Sequence, residues 1–290
     1  MNKIFNKTIL LVIISATFLG GCRDTEEYQR LAKAGTAYVQ SLDTLLKFAG
    51  EIKVDTTSEQ LLNLDRISNQ TIENYNKITE QDIRRLEILK RIRRHNSLLA
   101  KYFVLLDQLA SSDAPDRAQE EITGIVNTVN SVSSELVESE FFTNQASSII
   151  SALPKLIISS QIEGALRDEL EMRADTINKE LKIQEFLLSE LSKSISTDIT
   201  IIENSKQTRL VIRPLTKEEV IAKPDNWIND RNQILTTIAN VEELANAEQA
   251  AASFRMMFND FVEGKFDQAR FNYYLGQIES FLTFVESLKQ

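Results

Sequence analysis

The chain has 290 residues and a formal net charge of −9. Proteins that bind nucleic acids usually present a basic face, because cationic side chains release the counterions of the phosphates, so this acidic composition argues against a nucleic-acid partner. Eight glycines and four prolines are few for such a length. So few chain breakers, without the dense turn signals of a β-sandwich or barrel, predict an all-α protein with long helices.

The first 22 residues differ from the rest of the chain. Lys3 and Lys7 form a short basic start, and an apolar run follows over 9–19, ILLVIISATFL. A helix that spans a membrane needs about 20 apolar residues, so this shorter run is typical of a secretory signal peptide. The run leads to Cys22, the only cysteine in the sequence, and a single cysteine provides no intrachain disulfide.

Residues 19–22, Leu-Gly-Gly-Cys, resemble the lipobox of bacterial lipoproteins. The resemblance implies that Leu19 is the recognition position of the signal peptidase and that Gly20 and Gly21 are the small residues before the cut. It also implies that Cys22 takes a diacylglyceryl group and becomes the acylated N-terminus, with palmitate among the acyl chains. We therefore expect 1–21 to be a lipoprotein signal peptide and 22–290 to be a single lipid-anchored helical-bundle domain.

The residue after the cysteine bears on sorting. In the lipoproteins that this segment resembles, from bacteria with two membranes, an aspartate at this position retains the protein in the inner membrane. Arg23 stands here, and Asp24 lies one position too late. The resemblance thus implies export to the periplasmic face of the outer membrane in a host with two membranes. In a host with one membrane it implies the outer face of the cytoplasmic membrane.

Apolar periodicity predicts the helices in chain order. A first helix extends from about residue 25 to Gly50, and a second begins at a capping box at Thr57 and continues to about residue 112. The second half of that helix carries a three-four seam typical of coiled coils, formed by Ile88, Ile92, His95, Leu99, Tyr102, Leu106 and Leu109. Pro115 begins a third helix, since proline is accepted in the first helical turn.

A fourth helix begins near Gln161, and Arg173 and Gln184 interrupt its apolar stripe. Residues 199–212 favour either the frayed end of this helix or a small β-hairpin, and a lone hairpin is only marginally stable. Further helices are expected from about residue 225 to 262 and after the stop signal at Gly264. Because short connections favour antiparallel neighbours, we expect an elongated antiparallel bundle of long helices.

The segment 141–162, FFTNQASSIISALPKLIISSQI, has one charged residue, Lys155. Its position between the third and fourth helices places it at one tip of an antiparallel bundle. An apolar tip would insert into a membrane, and in this layout alone the chain is similar to α-helical pore-forming toxins. The alternative, which the many polar side chains favour, is a short helix pair that folds back on the bundle and bends at Pro154. The candidate contacts of the tip are Leu153, Leu156 and Ile157.

Six basic residues lie within 84–94, and His95, the only histidine, follows them. The basic residues would either dock to anionic lipid headgroups or an acidic partner, or pair with acids of neighbouring helices, which we favour. His95 would need further ligands to hold a metal. We therefore favour its interpretation as a polar seam residue that fixes helix register.

The sequence contains no G-x-S-x-G, H-E-x-x-H or glycine-rich phosphate motif. We therefore expect no enzymatic activity, no cofactor and no metal. The combined prediction is an exported lipoprotein of the cell envelope that is held to the membrane by N-terminal acyl groups. Its helical bundle would bind a protein partner or serve as a structural spacer. The alternative function is a membrane-active, pore-forming-like protein that uses the apolar tip at 141–162.

Overall fold

The computed structural model describes residues 23–63, 70–111, 115–138, 144–216, 220–237, 245–265 and 267–287. Throughout these ranges the regular structure is helical, which confirms the prediction of an all-α fold. The helices are α1 (Arg23–Asn63), α2 (Ile72–Ser111), α3 (Pro115–Val137), α4 (Asn144–Ser151), α5 (Gly164–Lys206), α6 (Arg213–Thr216), α7 (Pro224–Thr237), α8 (Ala245–Val262) and α9 (Gln268–Ser287). A π-helical turn, Gln207–Ile212, joins α5 to α6.

The two longest helices, α1 and α5, hold the bundle together. Helix α1 packs against α2, α5, α8 and α9, and α5 packs against α1, α2, α3, α4 and α8. Helix α2 runs opposite to α1, because Arg93 donates to Asp43 (2.5 Å) while Asn96, farther along α2, donates to the carbonyl of Val39 (3.1 Å). The antiparallel packing of α1 and α2 agrees with the expected bundle.

Helix α5 runs in the same direction as α1 and α3. The hydrogen-bonded pairs that show this are Tyr38 with Gln184 and Lys53 with Asp198 for α1, and Thr123 with Arg173 and Ser133 with Glu180 for α3. Since α3 and α5 are parallel, the chain between them has to return along the length of the bundle. The connection from α3 to α5 is therefore a long crossover rather than a short turn.

An aromatic cluster packs α1, α2 and α8 against one another. The ring of Phe254 stacks on Tyr38 at a centroid distance of 5.1 Å and meets Phe103 edge to face at 5.0 Å. Gly35 permits this approach, since a Cβ there would lie 2.9 Å from the Phe254 ring. Such ring pairs contribute about 1 kcal/mol each beyond the burial of their area, and these residues are almost completely buried.

The predicted break between Gly50 and Thr57 is wrong, because α1 continues to Asn63. A Cβ at residue 50 would lie 2.9 Å from a methyl carbon of Leu86, so Gly50 serves close packing of α1 on α2 and does not end the helix. The Thr57 hydroxyl donates to the carboxylate of Asp82 on α2 (2.8 Å). Gly50 and Thr57, which in sequence resemble a helix stop and a helix N-cap, therefore face the neighbouring helix α2.

The β-hairpin alternative at 199–212 is also wrong. Helix α5 continues through this stretch into the π-helical turn. Arg209 pairs with Glu59 near the end of α1 (2.6 Å), and the indole Nε1 of Trp227 donates to the carbonyl of Val211 (3.0 Å). The helical form is favoured because it buries the Val211 side chain and gives the Val211 carbonyl a hydrogen bond from Trp227 on α7.

Candidate functional site

The described part of the apolar segment, 144–162, does not form a tip. Helix α4 is followed by an extended stretch that runs back beside α5. The amide of Leu156 donates to Asp175 on α5 (2.8 Å), and the amide of Ser159 donates to the carbonyl of Val262 at the end of α8 (2.9 Å). The expected second helix after Pro154 is replaced by this extended chain.

The three candidate tip contacts have different surroundings. Leu153 and Leu156 are half-buried, and Leu156 packs against the apolar core, as does the nearby Ile158. Ile157 points outward and is 78% exposed. Because the segment is hydrogen-bonded to α5 and α8 and covers part of the core, its packing argues against the pore-forming alternative.

The lipobox residues Leu19, Gly20, Gly21 and Cys22 lie outside the described residues. Arg23, the residue expected to govern sorting, is the first residue of α1. Within the described ranges, no helix combines the length and apolarity required to cross a membrane.

Basic residues of α2 pair with acids of the same chain. Arg93 reaches Asp43 on α1, and Arg91 reaches Glu135 on α3 (3.5 Å). Further pairs within α2 join Arg84 to Glu80 and Lys90 to Glu87. These contacts agree with the interpretation of the basic segment as helix surface paired with neighbouring acids.

A layer of buried polar side chains crosses the centre of the bundle, and His95 is part of it. The ring of His95 on α2 is 0% exposed, and its Nε2 lies 2.9 Å from a carboxylate oxygen of Glu180 on α5. The hydroxyl of Ser133 on α3 donates to the same oxygen. Because a carboxylate oxygen accepts hydrogen bonds, His95 forms this contact in the tautomer that carries its proton on Nε2. Three helices thus meet at one carboxylate.

A second buried chain of hydrogen bonds joins α1, α2 and α5. The Tyr38 hydroxyl donates to Gln184 (3.1 Å), and the Gln184 amide donates to Asn96 (2.7 Å). Asn96 in turn donates to the carbonyl of Val39. In sequence, Gln184 is visible only as an interruption of an apolar stripe, and that interruption is the signal that marks a buried polar partner.

The other interruption, Arg173, belongs to a buried ion pair. Arg173 contacts Glu169 one turn earlier on α5 and also donates to the Thr123 hydroxyl on α3 (2.8 Å). Glu169 is 0% exposed. Burial raises the pKa of the Glu169 carboxyl to about 7, although the positive charge of Arg173 acts in the opposite direction.

This polar layer is suited to holding helices in register. Its hydrogen bonds run between different helices, and a slip of one helix would leave buried polar atoms without partners, at a cost of about 1–3 kcal/mol each. Among the side chains that the structure describes, no group of three or more His, Cys, Asp or Glu could hold a metal ion.

Comparisons with protein-family models, curated proteins and solved structures find no match to this chain. The fold itself defines the class of protein, which is an all-α helical bundle with a buried polar layer at its centre.

Proposed function

We propose that this chain is an exported lipoprotein whose helical bundle acts in the cell envelope, either by binding a protein partner or as a structural spacer. The observation that carries the proposal is the lipobox-like sequence 19–22, which immediately precedes the first helix at Arg23. By the same resemblance, Arg23 stands where an inner-membrane retention signal would carry an aspartate, so the periplasmic face of the outer membrane is the favoured location in a host with two membranes.

The position of α1 supports this proposal. The helix has 41 residues, which corresponds to about 60 Å at 1.5 Å per residue. It also packs against four other long helices, α2, α5, α8 and α9. An acylated Cys22 would therefore connect the membrane directly to a central helix, and the bundle would be carried on the membrane without an intervening linker.

Metabolic labelling with a fatty-acid analogue in a bacterial host tests the proposal. The wild-type chain is expected to incorporate the label and to fractionate with membranes, whereas Cys22→Ala is expected to lose the label and retain its leader. Gly20→Ala is the matched control, since alanine keeps the position small and should preserve processing. An unlabelled wild-type protein, or a Cys22→Ala variant labelled as strongly as wild type, would contradict the lipid anchor.

A further inference from the structure

The extended segment that links α4 to α5 has the side-chain pattern of a β-strand. Residues 153–159 form neither helix nor turn. Leu156 and Ile158 pack against the apolar core, whereas Ile157 between them is 78% exposed. Side chains that alternate between two faces are typical of a strand, so this segment presents one face to the core and the other to the surroundings.

The backbone of the same segment is held by the bundle at two points. In an extended chain, the N–H and C=O groups of successive residues point to opposite edges. The Leu156 amide donates to Asp175 on α5 (2.8 Å), so the even-numbered residues turn their backbone groups toward α5. On the odd-numbered edge, the Ser159 amide donates to the carbonyl of Val262 at the end of α8 (2.9 Å).

Before Ser159, the odd-numbered edge is open. We call its free part, formed by Lys155 and Ile157, the open edge. Within the part of the chain that the structure describes, the backbone N–H and C=O groups of both residues have no hydrogen-bond partner, and the Lys155 ammonium forms no ion pair. Beside Ile157, a groove of about 460 Å³ extends to Glu263 and Lys265, which pair with each other at 2.7 Å. The open edge therefore offers two backbone donors, two backbone acceptors and one unpaired cation.

We propose that the open edge binds an extended peptide segment of a protein partner as an added antiparallel β-strand. Unpaired backbone groups along an extended chain are a template for a second extended chain. In an antiparallel pair, the residues opposite Lys155 and Ile157 exchange both backbone hydrogen bonds with them. Opposite charges and apolar pairs stabilise such cross-strand neighbours. The partner segment thus carries an apolar residue opposite Ile157 and, two positions later, an acid opposite Lys155.

A second copy of this chain fits the open edge less well. The antiparallel register that pairs both residues would place Ile157 of one copy opposite Lys155 of the other, and both ammonium groups would stay unpaired. The inference deepens the proposed function, since it rests on the binding of a protein partner, but it does not depend on the lipid anchor.

Fluorescence anisotropy with labelled peptides and the purified full chain tests the site. The probe is acetyl-Thr-Ile-Thr-Glu-Thr-Val-Thr-amide, and it is compared with the same peptide carrying Lys in place of Glu and with one N-methylated at the Ile and Glu amides. We expect saturable binding of the Glu peptide and binding weaker by about threefold or more for the Lys peptide, because like charges then lie opposite each other. N-methylation should abolish binding, since it removes the peptide's donors to the open edge.

Lys155→Glu should reverse the preference between the Glu and Lys peptides. Its side chain is exposed and unpaired within the described structure, so the fold should be unchanged by circular dichroism. Ile157→Pro is the second variant, because it deletes one backbone donor from a residue whose extended neighbour tolerates proline. Lys101→Glu, an exposed position on α2, is the matched control and should keep the wild-type preference.

Three results would overturn the proposal. They are the absence of saturable binding of the Glu peptide, equal affinity for the N-methylated peptide, and an unchanged preference in Lys155→Glu. Sedimentation that shows a wild-type dimer and a monomeric Ile157→Pro variant would instead assign the open edge to a second copy. The peptide assay contains no lipid, so its failure and a failure of the fatty-acid labelling at Cys22 are separate results.

Discussion

At the scale of single residues, the most unusual side chain is the Glu169 carboxyl. It is completely buried beside Arg173. The pKa of the nearby Tyr102 phenol is also raised, mainly by burial and further by the negative charge of Glu169. Burial raises the pKa of Glu169 to about 7 from a usual value of about 4.5. The folded chain therefore binds a proton at this residue over a pH range in which the unfolded chain has released it.

This difference predicts how stability depends on pH. A raised carboxyl pKa in the folded state contributes stability below about pH 4.5, and that contribution is lost as the pH rises to about 7. Glu169→Gln should remove this component, so the free energy of unfolding of the variant should fall less over that range, by up to about 3 kcal/mol. Urea unfolding of both proteins at a series of pH values measures the difference. Parallel curves for the two proteins would show that Glu169 ionises normally.

At the scale of elements, the end of α8 and the returning chain beside α5 depend on each other. The amide of Lys265 donates to the carbonyl of Asp260 (2.7 Å), and that of Gly264 donates to the carbonyl of Phe261 (3.1 Å), which is the pattern of a Schellman C-cap. Gly264 has a φ of +67°, and a Cβ there would collide with the side chain of Ser159. One glycine therefore ends a helix and admits the crossover segment.

Gly264→Ala is expected to destabilise the fold by about 2 kcal/mol or more, because a left-handed conformation alone costs an L-residue about 1–2 kcal/mol and the collision with Ser159 adds to it. Gly124→Ala is the matched control. Gly124 lies within α3 with open space around it, so alanine should be neutral or stabilising by up to about 1 kcal/mol. Thermal unfolding followed by circular dichroism compares them, and equal melting temperatures would refute the role of Gly264.

At the scale of the whole molecule, the buried polar layer relates four helices that are far apart in sequence. The contact between His95 and Glu180 spans 85 positions along the chain, and Ser133 and Tyr38 bring α3 and α1 into the same layer. Apolar seams alone permit helices to slide by a turn, whereas buried polar partners specify one register. We interpret the layer as the feature that selects this arrangement.

His95→Leu is expected to lower the free energy of unfolding by about 3 kcal/mol, because it leaves the buried Glu180 without one of its donors. The double variant His95→Leu/Glu180→Leu should cost at least about 1 kcal/mol less than the sum of the two single variants, since both polar partners are then removed together. Ser97→Ala, an exposed position on the same helix, serves as the control. Strictly additive costs in denaturant unfolding would show that the two residues are not coupled.

Much of the helical content could be predicted from sequence, because helix formation depends on near neighbours. Pro115 begins α3, and α9 follows the stop at Gly264, as expected. Gly50 and Thr57 misled the prediction because their role is non-local, namely to bring α2 close to α1. His95 was correctly placed on a seam, but its partner Glu180 could not be identified, because nothing in the local pattern relates residues so far apart.

The sequence by itself determined the all-α class and the lipobox-like motif, both of which depend on residues that are adjacent or one turn apart. Only the tertiary structure decided that α1, α3 and α5 run in the same direction, and that the apolar segment returns along α5 instead of forming a tip. It also placed the exposed side chain of Ile157 beside the end of α8. These features depend on burial and hydrogen bonding between distant parts of the chain, and local propensities carry no information about which helices will meet.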